Sequence, residues 1–137
     1  MYLFTKNRSV PFDGETSIYR IGAYAANHKA KKISTFTTCT LYEKLCWITS
    51  AALSPNSKKL VLLDSQSLWL FENWQGDDFF SGDAYKIDLG IVTQKESVTF
   101  YDDNTIVFIE EEFMGIGRNA YVIKLNEQDK TLVQTRK

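Results

Sequence analysis

Histidine is almost missing from this chain. His28 is the only one in 137 residues, beside two cysteines and two prolines. A Ser–His–Asp triad would have to be built on His28, and no nucleophile elbow accompanies any serine. Cys39 and Cys46 stand seven positions apart, with no second pair and no neighbouring histidine, so a zinc set is excluded. In an oxidising compartment the two could close a local disulfide, and in a reducing one they would stay part-buried thiols. No stretch approaches the ~18 apolar residues of a membrane span. The opening MYLFTKNRSV lacks the basic start, long apolar middle and small-residue cleavage site of a signal peptide, which on residues alone points to the cytoplasm. A net charge of −1 gives no global pull toward nucleic acid or an anionic membrane. The basic run HKAKK (28–32) is short and reads as a solvated loop. No long stretch keeps a 3.6-residue period, and the best helical candidate, TLYEKLCW (40–47), amounts to a turn or two.

Aromatic residues, by contrast, are plentiful: nine Phe, seven Tyr and three Trp, which favour strands. With 44% apolar and 24% charged residues the balance is that of an ordinary globular domain with a real core. The strands announce themselves in a repeating order. KKLVLL (58–63) and NTIVFI (104–109) each place four consecutive apolar residues after a polar turn. Such a run is too short for a helix and suits a strand buried on both faces. Each is preceded by a turn and a further strand: ITSAAL (48–53) with SPNSKK, and ESVTF (96–100) with YDDN. Pro55 presets φ for the second turn position, and Asp102, Asp103 and Asn104 can bond their own backbone, so both pairs read as hairpins.

A third strand follows each hairpin, SLWLF (67–71) and NAYVIKL (119–125), and then a fourth. YKIDL (85–89) alternates polar and apolar residues, as at a sheet's outer edge, and KTLVQT (130–135) is its counterpart in the last unit. The N-terminal third fits the same template without a first strand, through MYLF (1–4), SIYRI (17–21) and KKISTF (31–36). Leu60 and Ile106 lie 46 positions apart. Four-stranded antiparallel units of about 40–50 residues are the signature of β-propeller blades. The expected fold is therefore all-β: one domain over 1–137, with blade-like units at about 1–37, 46–90 and 96–137. Three blades do not close a ring, since closed propellers hold about four to eight. Three arrangements meet that difficulty: part of a longer propeller with blades upstream, a homodimer making six blades, or a β-sandwich or open stack of sheets.

ITSAALSPNSKKLVLL (48–63) resembles the Ser-Pro-Asp-Gly-Lys turn common in bacterial propeller blades, with Asn56 and Ser57 standing where Asp and Gly usually sit. Joined with FTKNRSVPFDGETSIYRI (4–21), SLWLFENWQGDDFFSG (67–82) and IDLGIVTQKESVTFYDDNT (87–105), it resembles the C-terminal part of uncharacterised six-bladed-type propeller proteins found in Bacteroidetes. The resemblance implies a propeller fold, further blades upstream, and an exported or periplasmic protein. That compartment conflicts with the bare N-terminus. The resemblance is nearly silent on activity.

On a propeller, the loops joining fourth to first and second to third strands crowd one face, where binding and catalysis usually occur. Here they are KNRSVPFDGET (6–16), TTCTLYEKLCW (37–47), DSQS (64–67), GIVTQKE (90–96) and EEEFMGIGRN (110–119). The candidate ligand-binding residues on them are Arg8, Trp47, Lys95, Glu96, Glu111 and Arg118. The plainer reading of the same loops is a charged rim that keeps them soluble. Their carboxylates are oxygen ligands of the type calcium takes, though three consecutive Glu at 110–112 cannot all point one way along a strand. GDDFFSGD (76–83) lacks the calcium-loop spacing and falls on the opposite face, where Phe79 and Phe80 are expected to fold back onto the sheet. GIG (115–117) is not a dinucleotide fingerprint, having no following helix. Two functions follow. One is a non-catalytic module binding a protein, glycan or small ligand through these loops. The other is a metal-dependent hydrolase or lyase of the propeller type, using Glu96 and Glu111.

Overall fold

The computed structural model describes residues 1–38 and 42–136. It is an all-β arrangement of antiparallel strands, with one helical turn and two short 3-10 segments. In chain order the strands are β1 (Tyr2–Phe4), β2 (Glu15–Arg20), β3 (Lys31–Thr37), β4 (Ser50–Leu53), β5 (Lys59–Leu63), β6 (Ser67–Glu72), β7 (Asp83–Asp88), β8 (Lys95–Asp102), β9 (Thr105–Glu110), β10 (Ala120–Lys124) and β11 (Thr131–Gln134). The helical turn, α1, spans Glu43–Cys46. All eleven strands fall where the apolar runs and alternations put them. No helix among the described residues is long and apolar enough to cross a membrane.

Three sheets form, with orders β1-β2-β3, β11-β7-β6-β5-β4 and β10-β9-β8. The middle sheet carries the core on both faces. Its strand β5 alternates sides at every residue, so Leu60 and Leu62 turn one way and Val61 and Leu63 the other. Register aligns each with a like partner on β6: Leu60 opposite Phe71 and Leu62 opposite Trp69 on one face, Val61 opposite Leu70 and Leu63 opposite Leu68 on the other. This is why four consecutive apolar residues are needed where a one-sided strand would need two.

The two cores differ in kind. Toward the first sheet the packing is aromatic. Phe36 of β3 meets Phe71 edge-on at 4.9 Å and Trp69 at 5.6 Å, and Phe80 lies 4.9 Å from Phe71. Phe79 and Phe80, both buried, do fold back onto the sheet from the GDDFFSGD loop. Toward the third sheet the packing is mostly aliphatic: Val98, Ile106 and the one buried ring, Phe108, close on Val61, Leu63, Leu68, Leu70 and Ile87.

Strands β4 and β8, each the first strand of a hairpin, run beside each other and are stitched directly. Thr49 donates its hydroxyl to the Lys95 carbonyl at 2.6 Å, and the Val98 amide donates to Ser50 Oγ at 3.1 Å. The two hairpin turns also dock on each other. The Asn56 amide donates to Asp103 Oδ1 at 2.9 Å, and Lys59 Nζ reaches the Asp103 carbonyl at 3.1 Å and the Asn104 side chain. The second turn closes through Asp102, whose carboxylate accepts the Asn104 amide and the Thr105 hydroxyl.

One expectation fails. KTLVQT does form a strand, but β11 pairs with β7 of the middle sheet, not with β10 of its own unit. The third sheet therefore has three strands, and β7 is not an edge. The polar residues of β7 have a different cause: Lys86 stands opposite Trp69 and lays its ammonium 5.4 Å from the indole ring. Contacts just before, within and just after β11 hold this pairing. Lys130, almost fully enclosed, bonds Glu127 at 2.8 Å and Glu72 at 3.4 Å. Gln134 donates to the carbonyls of Phe80 and Gly82 at 2.8 and 2.9 Å, and the Arg136 amide reaches Asp83 at 2.7 Å.

Candidate functional site

All five loops singled out in the sequence meet at one end of the three sheets, and they enclose a cleft of about 660 Å³. Arg8 and Lys6 come from the β1–β2 loop, Lys44 and Trp47 from α1 and its exit, and Ser65 from the β5–β6 turn. Val92 to Glu96 enter from the β7–β8 loop, and Phe113 with Ile116 from the β9–β10 loop. The volume is within the ~300–1,000 Å³ typical of small-molecule sites.

The cationic wall is pre-ordered. Asn7 Nδ2 bonds Asp13 at 2.9 Å, and the Ser9 amide bonds Asn7 Oδ1 at 3.1 Å. Asp13 also accepts the Glu15 amide at 2.9 Å; that bond first, then the Asn7 bond, holds its carboxyl below the usual range. The loop so braced carries Arg8 to 4.6 Å and Lys6 to 5.8 Å from the centre of the Trp47 ring. Both are cation–π distances, and guanidinium groups suit such stacking. The Trp47 N–H is buried and has no hydrogen-bond partner among the described residues, so packing and the two cations hold the ring.

Lys95 forms part of the cleft wall, but its ammonium turns inward. It donates to the Ile91 carbonyl and Thr93 Oγ1 at 2.8 Å and to the Ser65 carbonyl at 3.1 Å, and lies 3.6 Å from Glu110 Oε1. Three bonds use all three of its protons. Burial pushes its pKa down, and the Glu110 charge only partly restores it. Burial also raises Glu110, yet bonds from Thr93, Asn119 and Tyr121 and the charge of Lys95 outweigh it, so that carboxyl sits below its ordinary range. Lys95 is thus a brace of the loops. The nearby Asp64 is another: its carboxylate accepts the Gln66 and Ser67 amides and the Trp69 indole N–H, all within 2.8 Å.

Of the residues proposed from sequence, Arg8, Trp47, Lys95 and Glu96 share the cleft. Glu96 is the extra residue of a β-bulge between Lys95 and Ser97, and it is exposed. Glu111 lies outside the cleft, beside Glu96, Ile109 and Glu110 around a shallow hollow. Arg118 is outside too, ion-paired with Glu112 on the exposed loop. The three glutamates diverge: Glu110, the last residue of β9, is buried, while Glu111 and Glu112 lie beyond the strand and are exposed. No group of three or more His, Cys, Asp or Glu among the described residues could hold a metal ion. Calcium takes about six to eight oxygens, a set that Glu96 and Glu111 do not approach. His28 engages the Tyr24 carbonyl at 2.8 Å. The pairing of Cys39 and Cys46 lies outside the described residues, since Cys39 is not among them.

Sequence reasoning missed Lys6, Val92, Phe113 and Ile116. The last two carried a signal, being large apolar residues in a loop. Phe113 and Ile116 exchange backbone bonds of 2.8 and 3.0 Å, forming a small hairpin tip. Met114 and Gly115 turn it with φ of 53° and 82°. Gly117, at φ 109°, could not carry a side chain, because a Cβ would fall 2.3 Å from the Glu111 carbonyl. A comparison with known proteins finds no matching family model and no similar curated protein.

Proposed function

We propose that the chain is a non-catalytic, propeller-type module whose loop face binds a small ligand. The observation that carries the reading is the cleft itself: one cavity of about 660 Å³ walled by loops from all three sheets. Loops on a rigid β scaffold are the usual place for recognition. The braces beneath it, Lys95 with Glu110 and Asp64 with Trp69, fix the loop backbones before any ligand arrives, which lowers the ordering cost of binding. Small-fragment screening by protein NMR tests the reading. Fragments that shift the amide signals of Trp47, Thr93 and Ile116, and no longer do so in Trp47→Ala, are the expected result. Hits scattered over the surface, unaffected by Trp47→Ala, would overturn it.

The propeller part of the reading is supported by three features. They are the repeated three-strand meander (β4-β5-β6 and β8-β9-β10), the side-by-side strands β4 and β8, and the stacked hairpin turns. The outer face of the third sheet exposes Ile109 and Val122, on adjacent strands. On this reading further blades or a second copy covers that face. Sedimentation of the 137-residue chain tests it: a homodimer fits closure by pairing, and a stable monomer with cooperative melting argues for a free-standing stack of sheets.

A further inference from the structure

We infer that the ligand of this cleft is a small amphipathic anion, an apolar body carrying a carboxylate or phosphate; the inference rests on the ligand-binding reading above. Charge is the first observation. Lys6, Arg8 and Lys44 converge on the cleft, and none has an ion-pair partner among the described residues. Among the described residues the wall holds a single carboxylate, Glu96, while the ammonium of Lys95 is cancelled by Glu110. The chain as a whole carries −1, so this excess of positive charge is local.

The arrangement of that charge is the second. Arg8 and Lys6 both lie within 5.8 Å of one indole ring centre. Two like charges gathered on one ring repel each other, and the π-face offsets only part of that repulsion. An incoming anion removes the rest and gains charge-assisted hydrogen bonds from the guanidinium fork. Trp47 is therefore a positioning residue: its face is occupied by the cations, and it sets where the anionic head docks.

Shape and polarity supply the third observation. Beside the polar Thr49, Ser65, Thr93 and Gln94, the wall has an apolar part open to water: Val92 is 45% exposed, Phe113 57% and Ile116 63%. The hairpin tip holds Phe113 and Ile116 in a fixed pair. A ligand body seated there takes apolar surface out of water, on its own side and on the protein's. A cleft that is mostly apolar, with a few charged groups on one wall, selects for orientation as well as charge.

The test uses three probes of one shape: 2-naphthoate, 2-naphthyl phosphate and the neutral 2-naphthamide. Each is titrated into the full chain and read by amide chemical shifts, and binding to phosphatidylglycerol vesicles is measured in parallel by co-sedimentation. Expected is cleft binding of both anions at least about tenfold tighter than the amide, reflecting the strength of charge-assisted hydrogen bonds. The two anions separate a carboxylate from a phosphate preference. Arg8→Gln with Lys44→Gln, both exposed and harmless to the core, is expected to bring the anions down to the affinity of the amide. Trp47→Ala is expected to weaken the anions more than the amide. Equal binding of all three probes in the cleft would overturn the inference and leave the ligand-binding reading standing. Cleft binding of neutral fragments, with neither anion binding up to about 5 mM, in the weak-affinity range, would do the same. Vesicle binding with no soluble probe in the cleft would overturn both, and make the face a membrane contact.

Discussion

Lys95 and Glu110 face each other across β8 and β9 with Nζ 3.6 Å from Oε1, and neither side chain keeps more than 4% of its surface in water. The pair ties three loops together at the floor of the cleft: the Ser65 turn, the 91–94 stretch and the end of β9. Removing one partner leaves a buried charge without compensation. Glu110→Ala is expected to cost about 3–5 kcal/mol in urea unfolding. The double variant Lys95→Met/Glu110→Leu is expected to recover most of that loss while blunting ligand binding, since the carbonyls of Ser65 and Ile91 lose their donor.

The same pair sets an acid limit. Glu110 titrates below its ordinary value of 4.5 in the folded chain. A depressed carboxyl contributes stability that is complete above the unfolded value and lost as pH falls through the folded one. Asp64 works in the opposite sense: burial raises it above 3.8 despite bonds from Trp69, Gln66 and Ser67, so its ionisation cost is relieved as pH falls. The difference in unfolding free energy between wild type and Glu110→Gln isolates the first effect. It is expected to shrink as pH drops below 4.5; a pH-independent difference would remove Glu110 from the acid response.

Ser57 holds a left-handed φ of 57° in the β4–β5 turn, where its amide bonds the Ser54 carbonyl at 2.8 Å. A side chain there carries strain that glycine avoids, partly repaid by the greater freedom of glycine in the unfolded chain. Ser57→Gly is expected to stabilise by about 0.5–1 kcal/mol, and Ser57→Val to destabilise by more. Thermal melting of the two variants reads the sign directly.

β11 covers the outer edge of β7, held by Lys130, Gln134 and the Arg136 amide. Truncation after Asp129 is expected to bare that edge, speed hydrogen exchange along β7 and promote aggregation, the usual fate of an unprotected edge strand. Unchanged exchange at Ala84–Lys86 after truncation would show that β11 adds no protection.

Strand identity was legible because it is local. The two-sided burial of KLVLL needs apolar residues at consecutive positions, and a period of two needs only neighbours, so eleven strands and two hairpins could be read from short windows. The loops destined for one face followed from strand order alone. Partner choice was not local. KTLVQT satisfies β-propensity equally beside β10 or β7, and the decision fell to Lys130 meeting Glu72 across 58 positions and Gln134 meeting Phe80 across 54. The site divided the same way. Sequence brought Arg8, Trp47 and Glu96 to the right loops. Only packing decided that the charge of Lys95 turns inward to Glu110, that Arg118 is taken by Glu112, and that Phe113 and Ile116 complete the wall. A side chain's composition states what it can bond. Which of several possible partners it bonds depends on distances that exist only once the sheets have stacked.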